Sequence, residues 1–278
     1  MYSYDQNKLK ELVTSILKQN LSIEAFDKLT EKCAQIACYN KQAFFTAFTA
    51  APRLVGKSPL SISMDDEAVI KHIRKDYTIA GYTADRLARL YILLHLPAEN
   101  KAEYVNTINR LFPAAEMNEL VALYSALPLL AYSEEWIFRA TEGIRSNIGS
   151  VLEAIICNNP FPSESLDEPA WNQLVLKAFF TEKPVDQIIG LNERTNPKLA
   201  DTLTDFAHER RAAHRKVPIE LWQLVAPFMN QQYLEDIKWL AETGDEDENK
   251  AAIEACRKSN FPPAKTLLNQ LLVTAKPS

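Results

Sequence analysis

The sequence predicts an all-α protein, a right-handed array of antiparallel helices that resembles an α-solenoid, as in a HEAT-like superhelix. The 278 residues include only six glycines but fifteen prolines, and most prolines fall between segments with helical apolar periodicity. Proline is excluded from helix interiors but is tolerated in the first turn, so this punctuation separates helices. The intervening segments have helical lengths, and none alternates with the period of two that is typical of a strand.

The apolar periodicity predicts a series of helices. Because the connections between them are short, consecutive helices are expected to be antiparallel neighbours. A shift of 31 residues aligns the leucines of 87–96, followed by Pro97, with 118–127, followed by Pro128, a spacing that suits a helical hairpin of a solenoid. The predicted helices span residues 5–19, 22–50 with a break, 65–76, 84–95, 99–111, 115–127, 134–157, 167–181, 197–215, 219–226, 230–242, 247–258 and 263–274.

The chain length is compatible with one elongated domain or with two fused domains, because 278 residues lie near the size at which one hydrophobic core gives way to two. We predict one continuous domain over residues 1–278. Within it we expect an N-terminal helical cap at 1–79, a helical core at 80–230 and a C-terminal helical pair at 231–278.

Composition and charge exclude several functional classes. Hydrophobic residues make up 47% and charged residues 24%, which is ordinary for a globular protein, and the net charge of −5 argues against nucleic acid as a partner. No segment approaches the ~20 apolar residues that span a bilayer. We therefore expect no transmembrane segment.

The N-terminus and the cysteines predict a cytoplasmic protein. Residues 1–17 include Asp5 and Glu11 and lack the uninterrupted apolar core of a signal peptide. The cysteines form no Cys-x-x-Cys pair and lie among apolar neighbours, so we interpret them as reduced core thiols. They are Cys33, Cys38, Cys157 and Cys256.

Three polar clusters interrupt apolar helical stretches, at 142–147, 171–177 and 207–215. In the third, a rotation of about 100° per residue continues an apolar stripe of Leu199, Leu203 and Phe206 with Arg210 and His214. A buried charge must be paired or used. We therefore expect Arg210 to be mostly buried and bonded to a carboxylate, with Glu142 and Glu153 as the first choices.

The first cluster is either a solvated helix face or part of a site. Gly143 and Gly149 each cost a helix about 1 kcal/mol relative to alanine, which indicates the close approach of a backbone or a ligand. No glycine-rich phosphate loop is present. In the second cluster, we interpret Asn172 as an amide that ties two helices together or contacts a ligand, and Lys177 as an amine that could pair with a phosphate or a carboxylate.

We predict no metal and no cofactor. Asp205-x-x-His208 is the carboxylate-x-x-histidine pattern of helical di-iron proteins, which requires a second such pair. Neither His72, His95 nor His214 has a carboxylate three residues before it. His208 is therefore expected to form a hydrogen bond that joins two helices.

Several short motifs, in one order, resemble the EboA family. They are Ala-Leu-Pro-Leu-Leu at 126–130, Glu-Gly-Ile-Arg-Ser-Asn at 142–147, Asn-Pro-Phe-Pro at 159–162, Ala-Trp-Asn-Gln-Leu-Val-Leu-Lys-Ala at 170–178, Asn-Pro-Lys-Leu-Ala at 196–200, Ala-His-Glu-Arg at 207–210 and Leu-Trp at 221–222. The resemblance covers roughly residues 80–230. It implies a place in the Ebo gene cluster of bacteria, which makes or moves a small secondary metabolite, including traffic of a pigment precursor toward the periplasm in cyanobacteria. Neighbouring genes in such clusters look like a prenyltransferase, hydrolases and a sugar-phosphate cyclase, and the family implies an accessory role.

The polar clusters are expected to converge on a cleft that binds a small polar or anionic metabolite. The sequence and the resemblance favour a non-catalytic accessory protein that binds a metabolite or other Ebo-pathway proteins. One alternative is an enzyme in which Glu142 and His208 act as acid and base. Another is a pure scaffold whose polar clusters only hold helices together. The candidate ligand-binding residues are Glu142, Arg145, Asn147, Asn172, Lys177, His208, Arg210 and His214.

Overall fold

The computed structural model describes residues 2–274, and within that range the regular structure is helical. No strand occurs in these residues, and Pro59 and Thr83 form an isolated antiparallel bridge. The all-α prediction is confirmed; residues 1 and 275–278, at the ends of the predicted cap and C-terminal pair, lie outside the described range. The α-helices are α1 (Gln6–Asn20), α2 (Ile23–Ala37), α3 (Lys41–Val55), α4 (Met64–Ile73), α5 (Ala84–Leu94), α6 (Lys101–Asn109), α7 (Met117–Ala126), α8 (Ile137–Ile144), α9 (Gly149–Ile156), α10 (Phe161–Ser165), α11 (Glu168–Phe180), α12 (Pro197–Ala212), α13 (Glu220–Val225), α14 (Gln231–Thr243), α15 (Glu246–Lys258) and α16 (Pro262–Thr274).

Side-chain caps determine where many of these helices begin. A short polar side chain before the first turn accepts a hydrogen bond from a backbone N–H that the helix itself leaves unpaired. Asn40 does this for α3 and so explains the break in the predicted segment 22–50. Other capping side chains belong to Asp5, Ser22, Ser63, Asn100, Asp167, Asn196, Asn230 and Asp245.

The described chain forms two compact units. The first comprises residues 1–171 with 187–189, and its central helix is α5, which packs against α1, α3 and α7. All residues of α5 except Arg86 are buried. The second unit comprises 172–186 with 190–278, and here α15 packs against α13, α14 and α16. The predicted boundaries near residues 79 and 230, and the solenoid arrangement, stay predictions.

The predicted single helix over 134–157 is wrong. A 3-10 turn at Ser133–Trp136 precedes α8, and the chain leaves the helix again between Ile144 and Gly149. The hydroxyl of Ser146 accepts a hydrogen bond from the backbone N–H of Ile148 at 3.1 Å, which replaces a helical bond at this point. Ile148 is exposed as a result, and the face proposed from Glu142 to Glu153 is not continuous.

The predicted helix over 197–215 ends early, at Ala212, in a Schellman arrangement. The N–H of His214 donates to the carbonyl of Arg211 at 2.9 Å, and the N–H of Arg215 donates to the carbonyl of Arg210 at 2.8 Å. His214 has a left-handed backbone with φ 53° and is exposed. The apolar stripe therefore extends to Arg210 but not to His214, whose predicted position on the inner face is wrong.

The four cysteines are free, but they do not all lie in the core. Cys33 and Cys256 are buried, Cys157 is half-buried and Cys38 is exposed. Cys38 follows the last residue of α2 as its C-cap, so the apolar periodicity of that helix no longer applies to it. The prediction of a core thiol is therefore wrong for Cys38.

A group does approach Gly143 closely, but it is an aromatic ring and not the backbone or ligand that was expected. A Cβ atom at this position would lie 2.7 Å from Cε1 of Tyr124, whose ring packs edge-on against Phe112. Helix α8 can therefore pack closely on α7 only because residue 143 has no side chain.

Gly143→Ala should lower the free energy of unfolding by about 1 to 2 kcal/mol, because the forced movement of Tyr124 outweighs the helix propensity of alanine. Urea denaturation of the variant would measure this change. In a Tyr124→Leu background the same substitution should be neutral or stabilising. A stabilising effect of Gly143→Ala alone would contradict the close packing.

Candidate functional site

The predicted residues of the first polar cluster lie at the end of α8 and in the turn after it. Glu142, Arg145 and Asn147 are all exposed. The carboxylate of Glu142 accepts a hydrogen bond from Nη1 of Arg139 at 2.6 Å, and Nε of Arg139 donates to Oδ1 of Asn109 at 2.7 Å. This end of α8 is thus a solvated surface with an ion pair.

Asn172 joins two helices in the second unit. Its amide Nδ2 donates to Oδ1 of Asn196 at 3.2 Å, and Nδ2 of Asn196 donates back to Oδ1 of Asn172 at 2.9 Å. Asn196 also caps α12. The amide of Asn172 therefore ties α11 to the beginning of α12, as the helix-joining interpretation predicted. Lys177 is half-buried on the same helix.

His208 also joins two helices, as expected. Its Nε2 lies 2.8 Å from Oδ1 of Asp236, and Nη1 of Arg211 donates to the same oxygen at 2.8 Å. Asp236 belongs to α14 and is 9% exposed, so one buried carboxylate holds two side chains of α12. The guanidinium of Arg211 lies 4.2 Å from the ring centre of Trp239 and 5.4 Å from that of Trp222.

Arg210 is mostly buried and bonded to a carboxylate, but the partner differs from both predicted choices. Its side chain is 16% exposed, and Nη2 lies 3.6 Å from Oε1 of Glu182. Nε donates to the carbonyl of Lys216 at 2.6 Å. The guanidinium also lies 5.6 Å from the ring centre of Phe206. The stripe on α12 therefore predicted the burial of Arg210 correctly and its partner wrongly.

The eight predicted residues thus fall into two groups, each described within its own unit. Glu142, Arg145 and Asn147 belong to the first unit, and the second unit contains Asn172, Lys177, His208, Arg210 and His214. Several of them hold helices together, and none lines the cavity described next.

The first unit contains a cavity of about 240 Å³, which we call the Arg86 cavity. Helices α5, α7 and α9, and the segments before α5 and after α9, supply its walls. The lining residues are Tyr77, Thr78, Ala80, Tyr82, Arg86, Val121, Ser125, Ser150, Glu153, Ala154, Cys157, Asn158 and Asn159.

Arg86 is held in a fixed orientation at the wall of this cavity. Its guanidinium carbon lies 3.8 Å from the ring centre of Tyr82, and Nε donates to Oγ of Ser125 at 3.3 Å. The two terminal amino groups make no hydrogen bond to any residue that the structure describes. They form the planar fork that matches a carboxylate or a phosphate in two parallel hydrogen bonds.

Neutral hydroxyls lie beside this cation. The hydroxyls of Tyr77 and Tyr82 are 3.0 Å apart and share a hydrogen bond. Burial raises the pKa of Tyr77 well above its usual value, so its hydroxyl stays protonated. Thr78 donates to Oε2 of Glu67 at 2.6 Å, which fixes the segment that carries the two tyrosines. The cavity therefore offers one oriented cation, several neutral hydrogen-bonding groups and one carboxylate, that of Glu153.

Asn159, the first residue of the Asn-Pro-Phe-Pro motif, lines this cavity. Its Nδ2 donates to the carbonyls of Tyr124 at 3.0 Å and Ala154 at 2.8 Å, and its Oδ1 accepts the N–H of Phe161 at 3.0 Å. This side chain fixes the turn between α9 and α10 against α7. The Asn-Pro-Phe-Pro motif thus shapes the cavity wall.

Sequence analysis did not identify Arg86. Its neighbours Ser125 and Ser150 come from helices far along the chain, so no local pattern brings them together. Only the structure distinguishes Arg86 from the other charged residues of α5, because Asp85 and Arg89 are buried and Arg86 is the one position of this helix that is not. A half-buried cation on an otherwise buried helix indicates a polar cavity beside that helix.

The described residues contain neither a metal-binding cluster nor a membrane-spanning helix. Within residues 2–274, no three side chains of histidine, cysteine, aspartate or glutamate lie close enough together to hold a metal ion. No helix of this same range has the length and apolar character to cross a bilayer.

Comparison with known proteins identifies the family. The sequence matches the family described as metabolite traffic protein EboA over residues 9–226. The match begins well before residue 80, so the resemblance we placed at roughly 80–230 was too short and α1–α4 are part of it. No curated protein and no solved structure gives a significant match. Because the matched region is most of the 278 residues, the chain belongs to the EboA family of metabolite traffic proteins.

Proposed function

We propose that this EboA protein is a non-catalytic accessory protein that binds a small anionic metabolite in the Arg86 cavity. The observation that carries the proposal is the Arg86 guanidinium, which is stacked on Tyr82 and anchored by Ser125, and whose terminal amino groups make no hydrogen bond to the described residues. The description of the family as metabolite traffic proteins supports a carrier or delivery role.

The size and chemistry of the cavity favour binding over a purely structural role. A cavity of about 240 Å³ is smaller than the 300–1,000 Å³ of typical drug-sized sites, so it suits a small metabolite or the charged end of a larger one. A carboxylate or phosphate would pair with Arg86, and ligand hydroxyl groups could bond Tyr77, Ser150 or Asn158. The two parallel charge-assisted hydrogen bonds of such a pair would offset the cost of desolvating the terminal donors of Arg86.

The enzyme alternative has less support. Glu142 is bonded to Arg139 at an exposed helix end, and His208 is bonded to Asp236. In these positions each side chain has a structural partner, as the scaffold interpretation expected. The accessory role, its partners among Ebo-pathway proteins and a cytoplasmic location, which the free cysteines favour, belong to the proposal.

Cys157 provides a direct test of ligand binding. This half-buried thiol lines the Arg86 cavity, and the exposed Cys38 does not. We expect an anionic ligand to slow alkylation of Cys157 by N-ethylmaleimide without changing that of Cys38, as measured by mass spectrometry. Suitable probes are glucose 6-phosphate and shikimate, with glucose as the uncharged comparison.

Arg86→Met should weaken binding of the protective anion by about tenfold or more, because it removes the paired donors and keeps most of the apolar stem. Arg145→Met is the matched control, since Arg145 is an exposed arginine of the same unit that was predicted to bind ligand. Equal protection in wild type and Arg86→Met would overturn the proposed site, as would millimolar anions that leave Cys157 unprotected. If only Arg145→Met loses protection, the anion binds at the end of α8 and not in the Arg86 cavity.

A further inference from the structure

A second polar cavity lies in the first unit, at the N-terminal end of α1. It has a volume of about 230 Å³ and is enclosed by α1, the end of α2 and the segment after α5. We call it the Lys10 pocket. Its lining residues are Tyr2, Gln6, Lys10, Ala37, Tyr39, His95, Leu96, Pro97, Ala98 and Glu99.

Two opposite charges face this pocket without forming an ion pair. Lys10 is half-buried, and its ammonium group makes no hydrogen bond or ion pair with the described residues. Burial lowers the pKa of Lys10, and the negative charge of Glu99 opposes that shift. The carboxylate of Glu99 accepts a hydrogen bond from the hydroxyl of Tyr39 at 3.0 Å. Glu99 is exposed and solvated, whereas the half-buried ammonium of Lys10 has no partner among the described residues, which costs free energy. A ligand that brings an anionic group to Lys10 and a cationic group to Glu99 would therefore be favoured.

His95 supplies a neutral acceptor to the same pocket. Its Nδ1 lies 2.8 Å from the carbonyl of Tyr91, and since a carbonyl can only accept, the proton is on Nδ1 and Nε2 keeps its lone pair. Burial lowers the pKa of His95, and the positive charge of Lys10 lowers it further, which keeps the ring neutral. The edge-on contact of the Tyr91 ring, 4.3 Å between centres, holds this orientation.

From this arrangement we infer that the Lys10 pocket binds the zwitterionic head group of an α-amino acid. The ligand carboxylate would pair with Lys10, while its ammonium would donate to Glu99 and to Nε2 of His95. Apolar contacts from Ala37, Leu96 and Pro97 leave room for a small side chain. The site is independent of the Arg86 cavity, since no lining residue is shared.

A calorimetric screen of the twenty standard L-amino acids would test this inference. We expect at least one to bind with one-to-one stoichiometry. Its deaminated and decarboxylated analogues, for example propionate and ethylamine in place of L-alanine, should bind at least about tenfold more weakly, because each lacks one of the paired charges. Lys10→Met and Glu99→Gln should each reduce affinity by about the same factor.

Arg86→Met serves as the internal control, because it should leave amino-acid binding at the Lys10 pocket unchanged. Circular dichroism would verify that each variant is folded. The inference is overturned if no amino acid binds at millimolar concentration, or if the analogues bind as tightly as the amino acid. It is also overturned if folded Lys10→Met and Glu99→Gln proteins keep the wild-type affinity. These outcomes do not depend on the result of the Cys157 experiment.

Discussion

Replacement of Asp85 by alanine is expected to lower the free energy of unfolding by about 3 to 5 kcal/mol, because it leaves a buried guanidinium without its carboxylate. Asp85 and Arg89 lie one turn apart on α5 and are only 5% and 3% exposed. Nη1 of Arg89 donates to Oδ2 of Asp85 at 2.7 Å, and Nε donates to the carbonyl of Phe48 at 3.2 Å. In the variant, only the Phe48 carbonyl would remain as a hydrogen-bond partner for this charge.

The charge, and not the loss of side-chain volume, should account for this effect. Asp85→Ala combined with Arg89→Met removes both charges and should recover most of the lost stability, because a buried ion pair can often be replaced by apolar groups at little cost. Urea denaturation followed by circular dichroism would measure both proteins. If the double variant is as unstable as Asp85→Ala, packing at position 85 is responsible and the ion-pair argument fails.

The helical fold was predictable because its determinants are local. Proline positions, apolar periodicity and short capping side chains lie within a few residues of the boundaries they set. Asn40, for example, caps α3 and separates it from α2, within the segment 22–50 for which the sequence predicts a break. Such signals need no knowledge of distant parts of the chain.

Two of the helices that were predicted too long, at 134–157 and 197–215, show where local pattern fails. Apolar periodicity runs through both Ser146 and His214, but hydrogen bonds end the helices there. The Ser146 hydroxyl accepts a backbone N–H, and His214 adopts a left-handed backbone in a Schellman turn. Histidine is not a residue that predicts such a turn, since glycine is the usual choice.

The candidate site was less predictable because distant contacts define it. Arg86 gains its orientation from Tyr82, four residues away, and from Ser125, on another helix. The sequence clusters at 142–147 and 207–215 were more conspicuous, yet they supply an exposed ion pair and a set of helix-joining bonds. Polar residues in a helical pattern therefore predicted correctly that polar interactions occur. They did not show whether those interactions join helices or line an open cavity.

The adjacent residues Arg210 and Arg211 illustrate this distinction. Helical periodicity singled out Arg210 as the inward-facing cation, but the two side chains are similarly buried, at 16% and 18% exposed. What separates them is the carboxylate partner. Glu182, which pairs with Arg210, is 76% exposed, whereas Asp236, which pairs with Arg211, is 9% exposed.

Arg211→Met should therefore lower the free energy of unfolding by about 3 kcal/mol, because it leaves the carboxylate of Asp236 buried with His208 as its remaining partner. Oδ2 of Asp236 already has no hydrogen-bond partner among the described residues, so no second bond at this carboxylate compensates for the loss of Arg211. Methionine keeps an apolar stem between Trp222 and Trp239, which limits the loss of packing.

Arg210→Met is the matched control and should cost about 1 kcal/mol or less, because water solvates Glu182 when its partner is removed. Urea denaturation of the two variants side by side would test the comparison. Equal losses would mean that the aliphatic stems, and not the burial of the partner carboxylate, determine what each arginine contributes. A larger loss for Arg210→Met would favour the original sequence argument, in which the apolar stripe of α12 identifies the structurally important cation. The structure predicts the opposite order because desolvation of the carboxylate left behind dominates the free-energy change. Of the two carboxylates compared, that of Asp236 is shielded from water and that of Glu182 is not.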